Sequence, residues 1–87
     1  MLYRAEILGR VPKGLTHNDV YASILSMLNE DPMSVQSTSK RRLAGNMISV
    51  ICVIDAADFG SARRIITGAA SGVSNFSFDV IGPKEVK

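Results

Sequence analysis

Alternating apolar and polar positions mark four segments of the chain as β-strands. The alternation is loose over Leu2–Arg10, weaker over Met33–Ser39, and clear again over Asn75–Ile81. The strongest strand signal is Met47–Asp55, in which both sets of alternating positions are largely apolar. A strand that is apolar on both faces is typical of the centre of a sheet, whereas the Ser- and Thr-rich end of the second segment favours an edge.

Two further segments show the periodicity of amphipathic helices. The first begins at Thr16, an N-cap residue with Asp19 in the capping-box position, and is predicted to stop at Pro32. The second begins after Asp58, another N-cap residue. Its inner stripe is predicted to contain Phe59, Ala62, Ile65, Ile66 and Ala69.

The order of these elements, β-α-β-β-α-β, predicts an α+β fold of the ferredoxin-like type. In that fold a four-stranded antiparallel sheet carries both helices on one face. The 87 residues are enough for a single domain. The stretch Lys40–Asn46 is predicted to connect the second and third strands as a hairpin. Gly82-Pro83 is predicted to close the last strand, and residues 84–87 then form a polar tail.

One face of the predicted sheet stays uncovered, because both helices lie on the other. The covered face is assigned to Tyr3, Ala5, Ile7, Ile48, Val50, Cys52, Ile54, Phe76, Phe78 and Val80. The uncovered face then contains Leu2, Leu8, Met47, Ile51, Val53 and Ile81, mixed with Arg4, Glu6, Ser49 and Asp79. Scattered surface hydrophobes are normal, but a contiguous apolar patch above about 400 Å² usually marks an interface. We predict an interface here, since Ile51 and Val53 fall on a central strand.

Charge adds a second candidate region, although the net charge is only +2. Lys40, Arg41 and Arg42 are contiguous, and Arg63-Arg64 form a second pair. Three interpretations of the triplet stay open: contacts to nucleic-acid phosphates, charges that keep an edge strand unpaired, and the rim of a protein interface. No aromatic residue accompanies the cations, which disfavours nucleic-acid binding.

No set of catalytic or metal-binding residues is recognisable in the sequence. The chain has one histidine, His17, and one cysteine, Cys52, and it lacks the P-loop and G-x-G-x-x-G fingerprints. Gly9–Leu15 resembles the start of the first loop of acylphosphatases, but Thr16-His17-Asn18 stands where the catalytic arginine of that family follows. We therefore expect no enzymatic activity, no catalytic residue, no cofactor and no metal.

The first loop, Pro12-Lys13-Gly14-Leu15, resembles that of ACT-type regulatory domains, which also share the predicted order of elements. The resemblance covers the whole chain in topology and only this loop in motif. It implies pairing of domains through sheet edges or helices and a small ligand, often an amino acid, held near the loop. The residues themselves predict an anion-binding corner at Arg10, Lys13 and Gly14, beside the amides that follow Thr16.

The sequence thus predicts a small, non-enzymatic binding or regulatory module that contacts a partner protein and self-associates. Its partner surface would combine Lys40, Arg41 and Arg42 with Met47, Ile51 and Val53. Nucleic-acid binding through the triplet and sensing of a small anionic ligand are the alternatives. No apolar run approaches the ~18 residues of a membrane span, so we expect a soluble, cytoplasmic protein. A viral or mobile-element accessory protein would suit this description, although no residue requires it.

Overall fold

In the computed structural model, which describes residues 1–29 and 35–87, four strands form one antiparallel sheet and two helices pack on one of its faces. The elements are β1 (Leu2–Arg10), α1 (His17–Leu28), β2 (Val35–Leu43), β3 (Met47–Asp55), α2 (Phe59–Ser71) and β4 (Ser77–Val86). The strands lie in the order β2-β3-β1-β4. This arrangement confirms the ferredoxin-like α+β prediction, with β1 and β3 at the centre.

The predicted capping box at the start of α1 is present. The Thr16 hydroxyl accepts a hydrogen bond from the Asp19 amide at 3.1 Å, and the Asp19 carboxylate accepts one from the Thr16 amide at 2.8 Å. These bonds satisfy amides that a helix end leaves without an intrahelical partner. The helix ends at Leu28 with Asn29 as its C-cap. The predicted stop at Pro32, and the predicted strand residues Met33 and Ser34, lie outside the described residues.

Asp58 caps α2 as predicted, and its carboxylate accepts a hydrogen bond from the Ser61 amide at 2.8 Å. Hydrogen bonds from Ser61 favour the ionised form and lower the pKa of Asp58. The assignment of Phe59 to the inner stripe is wrong, because its side chain is 50% exposed. Phe59 is the first helical residue, and helical side chains lean toward the N-terminus, so its ring extends past the end of α2. Ala62, Ile66 and Ala69 are buried as predicted.

Both edge strands are longer than the sequence predicts. Strand β2 continues to Leu43, so the basic triplet lies within a strand and only Ala44, Gly45 and Asn46 form the turn. Gly45 and Asn46 have φ values of +70° and +59°, the left-handed conformation that such a turn requires. An edge strand needs partners on one side only and is half solvated, which makes room for charged residues.

Strand β4 also continues through Gly82-Pro83 to Val86, so residues 84–86 belong to the sheet rather than to a polar tail. Proline is tolerated here because β4 is an edge strand, where the backbone N–H that proline lacks is not needed for pairing with a second neighbour. Gly82 adopts φ +97° at a point where the register between β1 and β4 shifts. Gly82-Pro83, which the sequence predicts to end the strand, therefore marks a register shift within it.

The covered face holds the core, and there Gly9 lies against the ring of Phe76. The predicted covered-face residues of β1 and β3 are all buried, from Tyr3 at one end to Ile48 at the other. A Cβ atom at Gly9 would lie 2.5 Å from two ring carbons of Phe76 and 2.8 Å from the Ser77 carbonyl oxygen. Phe76 also stacks on Phe78, with ring centroids 5.4 Å apart. The absence of a side chain at Gly9 is thus what lets the aromatic ring close the core.

We predict that Gly9→Ala lowers the free energy of unfolding by about 1–3 kcal/mol, because the added methyl group displaces the Phe76 ring or the backbone behind it. Urea denaturation followed by circular dichroism measures the effect. Gly68→Ala is the matched control: Gly68 lies inside α2 with open space around its Cβ position, so its alanine variant should be up to about 1 kcal/mol more stable. Equal stability of Gly9→Ala and the native chain would contradict this account.

Candidate interaction surface and loop cleft

The sheet face opposite the helices, here called the open face, carries a group of apolar side chains. Strand register and alternation place on it all six apolar residues that the sequence assigned there: Leu2, Leu8, Met47, Ile51, Val53 and Ile81. Ile81 is 51% exposed, Leu2 is also exposed, and the other four are partly exposed. The sequence therefore assigned these six side chains to the correct face, because a strand sends alternate side chains to opposite faces.

A hydrogen-bonded polar pair lies within the open face. Ser49 is only 3% exposed and donates a hydrogen bond from its hydroxyl to the carboxylate of Glu6. Glu6 is opposite Ile51 in the β1–β3 register, and Ser49 is opposite Leu8. Because the Ser49 hydroxyl has a hydrogen-bond partner in Glu6, Ser49 can be buried without the cost of an unsatisfied polar group.

The register also aligns residues of all four strands into rows across the open face. One row runs Arg41, Ser49, Leu8 and Asp79, from the β2 edge to the β4 edge. Arg41 and Asp79 are both exposed. The row therefore ends in a positive charge at one edge of the sheet and a negative charge at the other.

The basic triplet is divided between the two faces of the sheet. Lys40 lies on the helix side, where its ammonium group donates a hydrogen bond to Asn18 and lies 5.5 Å from the centroid of the Tyr21 ring. The Tyr21 hydroxyl is 2.9 Å from the Thr38 hydroxyl, a second link between α1 and β2. Cation–π contact and hydrogen bonding give Lys40 a structural role, in which it fastens an edge strand to a helix.

Arg42 lies on the same side as Lys40, and Arg41 on the opposite one. A cleft of about 240 Å³ is lined by Arg42 together with Thr16, His17 and Asn18 at the start of α1. Of the predicted partner-binding residues, the structure therefore brings Arg41, Met47, Ile51 and Val53 together on the open face. It places Lys40 and Arg42 on the other face. The contiguous cations do not form one continuous charged surface.

A second, larger cleft lies beside the β1–α1 loop, where the sequence predicts anion binding. Its volume is about 400 Å³, and its lining includes Arg10, Lys13, Gly14, His17 and Asn46. The three predicted residues Arg10, Lys13 and Gly14 therefore share one cleft. The Arg10 guanidinium donates a hydrogen bond to the Gly45 carbonyl at 3.2 Å, which ties the loop to the β2–β3 turn.

His17 lies between the two clefts and is the site residue that sequence reasoning missed. Its Nε2 atom is 3.1 Å from the Met47 carbonyl oxygen, so this nitrogen carries the proton that it donates. The partner comes from β3, thirty residues away along the chain, and the capping pattern around Thr16 gives no hint of it. Two cations and the start of α1 make the larger cleft favourable for an anion.

The thiol of Cys52 takes no part in either region, because it is buried in the core. Burial disfavours the thiolate and raises the pKa of Cys52 to about 11. Within residues 1–29 and 35–87, no three His, Cys, Asp or Glu side chains are grouped so that they could hold a metal ion. No helix in the described part of the chain is long and apolar enough to cross a membrane.

Comparison with known proteins bears on the fold. No protein-family model matches the chain, and no curated protein matches it. In structure the chain is similar to part of a formyltetrahydrofolate deformylase from Pseudomonas putida KT2440, with a TM-score of 0.54 over 95% of this chain and 13% sequence identity. The match covers 29% of the deformylase, so this chain spans less than a third of that length. At this identity the likeness shows a shared fold alone.

We predict that Cys52 of the native protein reacts with a thiol reagent at pH 8 roughly a hundredfold more slowly than an exposed cysteine, because burial removes both access and thiolate. Reaction with a chromogenic disulfide, followed by absorbance, measures the rate. The same protein in concentrated urea is the control and should react at the rate of a free thiol. Equal rates in the native and unfolded states would show that Cys52 is accessible.

Proposed function

We propose that this protein is a small regulatory or binding module that acts through its open face, and that its first partner is a second copy of itself. The observation that carries the proposal is the presence of exposed and partly exposed apolar side chains on a sheet face that neither helix covers. Ile51 and Val53 belong to the central strand β3. Apolar side chains in the middle of an open sheet lose contact with water when a partner covers them.

The size of the open face fits an association of moderate strength. Four strands about 4.8 Å apart, with residues rising about 3.3 Å each along nine-residue strands, give a face of roughly 19 × 30 Å, or about 570 Å² per copy. Two copies would bury about 1,100 Å², close to the lower bound of specific interfaces. This value treats each face as flat and leaves out the extra area of protruding side chains. We therefore expect an equilibrium that depends on protein concentration rather than a permanent assembly.

The chemistry of the described side chains supports a non-enzymatic role. Cys52 is buried in the core, and the proton of His17 Nε2 is committed to a backbone carbonyl. Nucleophilic catalysis needs an exposed nucleophile next to a base that can accept its proton. The buried thiol of Cys52 is not such a nucleophile, and we assign binding rather than covalent chemistry.

Ile51→Glu is predicted to abolish self-association, because it places a second carboxylate opposite Glu6 in the centre of the interface, where both charges would have to lose their hydration. Sedimentation equilibrium from about 10 µM to 1 mM measures the average mass. The control is Ser26→Glu, which adds the same charge at an exposed position of α1 and should leave the association unchanged. Circular dichroism checks that both variants fold. A native protein that stays strictly monomeric up to 1 mM would contradict the proposal.

A second candidate function is sensing of a small anionic ligand in the cleft at the β1–α1 loop. It is favoured by the convergence of Arg10, Lys13 and the start of α1 on one cleft of about 400 Å³. The resemblance of this loop to that of ACT-type regulatory domains points in the same direction. A ligand carboxylate or phosphate would lie against these cations and the loop amides.

Thermal denaturation in the presence of amino acids and inorganic phosphate tests this second function. We predict a concentration-dependent rise of the melting temperature that Lys13→Ala reduces, since Lys13 lines the cleft and is exposed. Lys87→Ala removes the same charge at the end of the chain, outside the cleft, and should keep the response. Melting temperatures that do not change with any ligand would leave the open face as the remaining candidate site.

Nucleic-acid binding stays a prediction that the geometry favours less. A phosphate backbone is best held by a row of cations on one surface. Here Lys40 and Arg42 lie on the helix side, whereas Arg41 lies on the open face. Lys40 is in addition engaged with Asn18 and Tyr21.

A further inference from the structure

We infer that two copies pack open face to open face about a two-fold axis parallel to the central strands, with Arg41 of each copy paired to Asp79 of the other. The inference rests on the proposed self-association and adds the arrangement of the two copies. It follows from the row Arg41, Ser49, Leu8 and Asp79, which ends in opposite charges at the two edges of the sheet.

The positions of these two residues are symmetric about the middle of the sheet. Arg41 lies on β2 and Asp79 on β4, and each strand is about 7 Å from the line that runs between β3 and β1, given the usual strand spacing. A half-turn about an axis above this line brings β2 of one copy over β4 of the other and keeps each row in place. A two-fold interface repeats every contact, so the Arg41–Asp79 pair forms twice.

An axis across the strands gives a less favourable arrangement. The central row of the open face contains Ser39, Ile51, Glu6 and Ile81. A half-turn about that row would place Glu6 of one copy against Glu6 of the other, and like charges in an interface are repulsive. With the axis along the strands, Glu6 instead faces Ile51 and keeps its hydrogen bond from Ser49.

The apolar side chains of the central strands and the charged ends of the row have separate parts in this arrangement. Leu8, Ile51 and Val53 supply the area removed from water, and they lie on the two central strands. The Arg41–Asp79 pairs lie at the rim and fix the relative orientation of the copies, which is the usual effect of rim charges. Since both residues are exposed in the single chain, reversing their charges should leave the fold intact.

Charge reversal tests the arrangement. Arg41→Asp alone and Asp79→Arg alone each place like charges together twice, so each variant should associate about tenfold or more weakly than the native protein. An equimolar mixture of the two variants should recover association, because positions 41 and 79 then carry opposite charges at both contacts of the mixed pair. The double variant Arg41→Asp/Asp79→Arg should recover it as well. Sedimentation velocity at about 0.1 M salt measures all four samples.

The control is Arg63→Asp, an equal reversal at an exposed position of α2, which should leave association unchanged. Association of the native protein together with unchanged single variants, and no gain in the mixture, would overturn this arrangement but not the self-association. Copies that pair through their sheet edges would give that result. A native protein that is monomeric at every concentration would overturn both.

Discussion

The two helices can cover only one face of the four-stranded sheet, so its two faces differ in their exposure to water. On the covered face, the aliphatic side chains of β1 and β3 are removed from water almost completely. Gly9 lets the Phe76 ring approach the sheet closely enough to complete that core. The other face has no element of the described chain to cover it, yet β3 sends Met47, Ile51 and Val53 there. An aliphatic central strand therefore creates the core and the candidate interface together.

The alternation of side chains along a strand also explains why the basic triplet is divided. Its three residues are contiguous in sequence but do not lie on one surface. Within an extended strand, neighbouring residues point to opposite faces. Lys40 reaches the helix layer and contacts Tyr21, whereas Arg41 lies beside Ser49 on the open face. Three adjacent cations, counted without regard to geometry, would suggest a segment that binds nucleic acid. Strand geometry instead gives one cation a structural role and another a place at the rim of an apolar surface.

Elements whose ends are fixed by local chemistry could be predicted from the sequence. The capping residues Thr16 and Asp58 gave correct helix starts, and the period of two assigned the faces of β1 and β3 correctly. The ends of β2 and β4 could not be predicted, because neighbouring strands and solvent, rather than local propensity, allow charges and a proline on edge strands. The hydrogen bond between His17 and the Met47 carbonyl could not be predicted either, since it joins segments that only the fold brings together.

The proposed self-association uses the open face and not the helix layer. Methyl resonances of isoleucine report on it directly, because Ile51 and Ile81 lie on the open face, while Ile24 of α1 and Ile66 of α2 are buried in the core. The measurement is a series of methyl NMR spectra on dilution from about 1 mM to 10 µM. We expect the Ile51 and Ile81 signals to shift with concentration and those of Ile24 and Ile66 to stay constant. Signals that are all independent of concentration, or shifts confined to the helix layer, would rule out self-association through the open face.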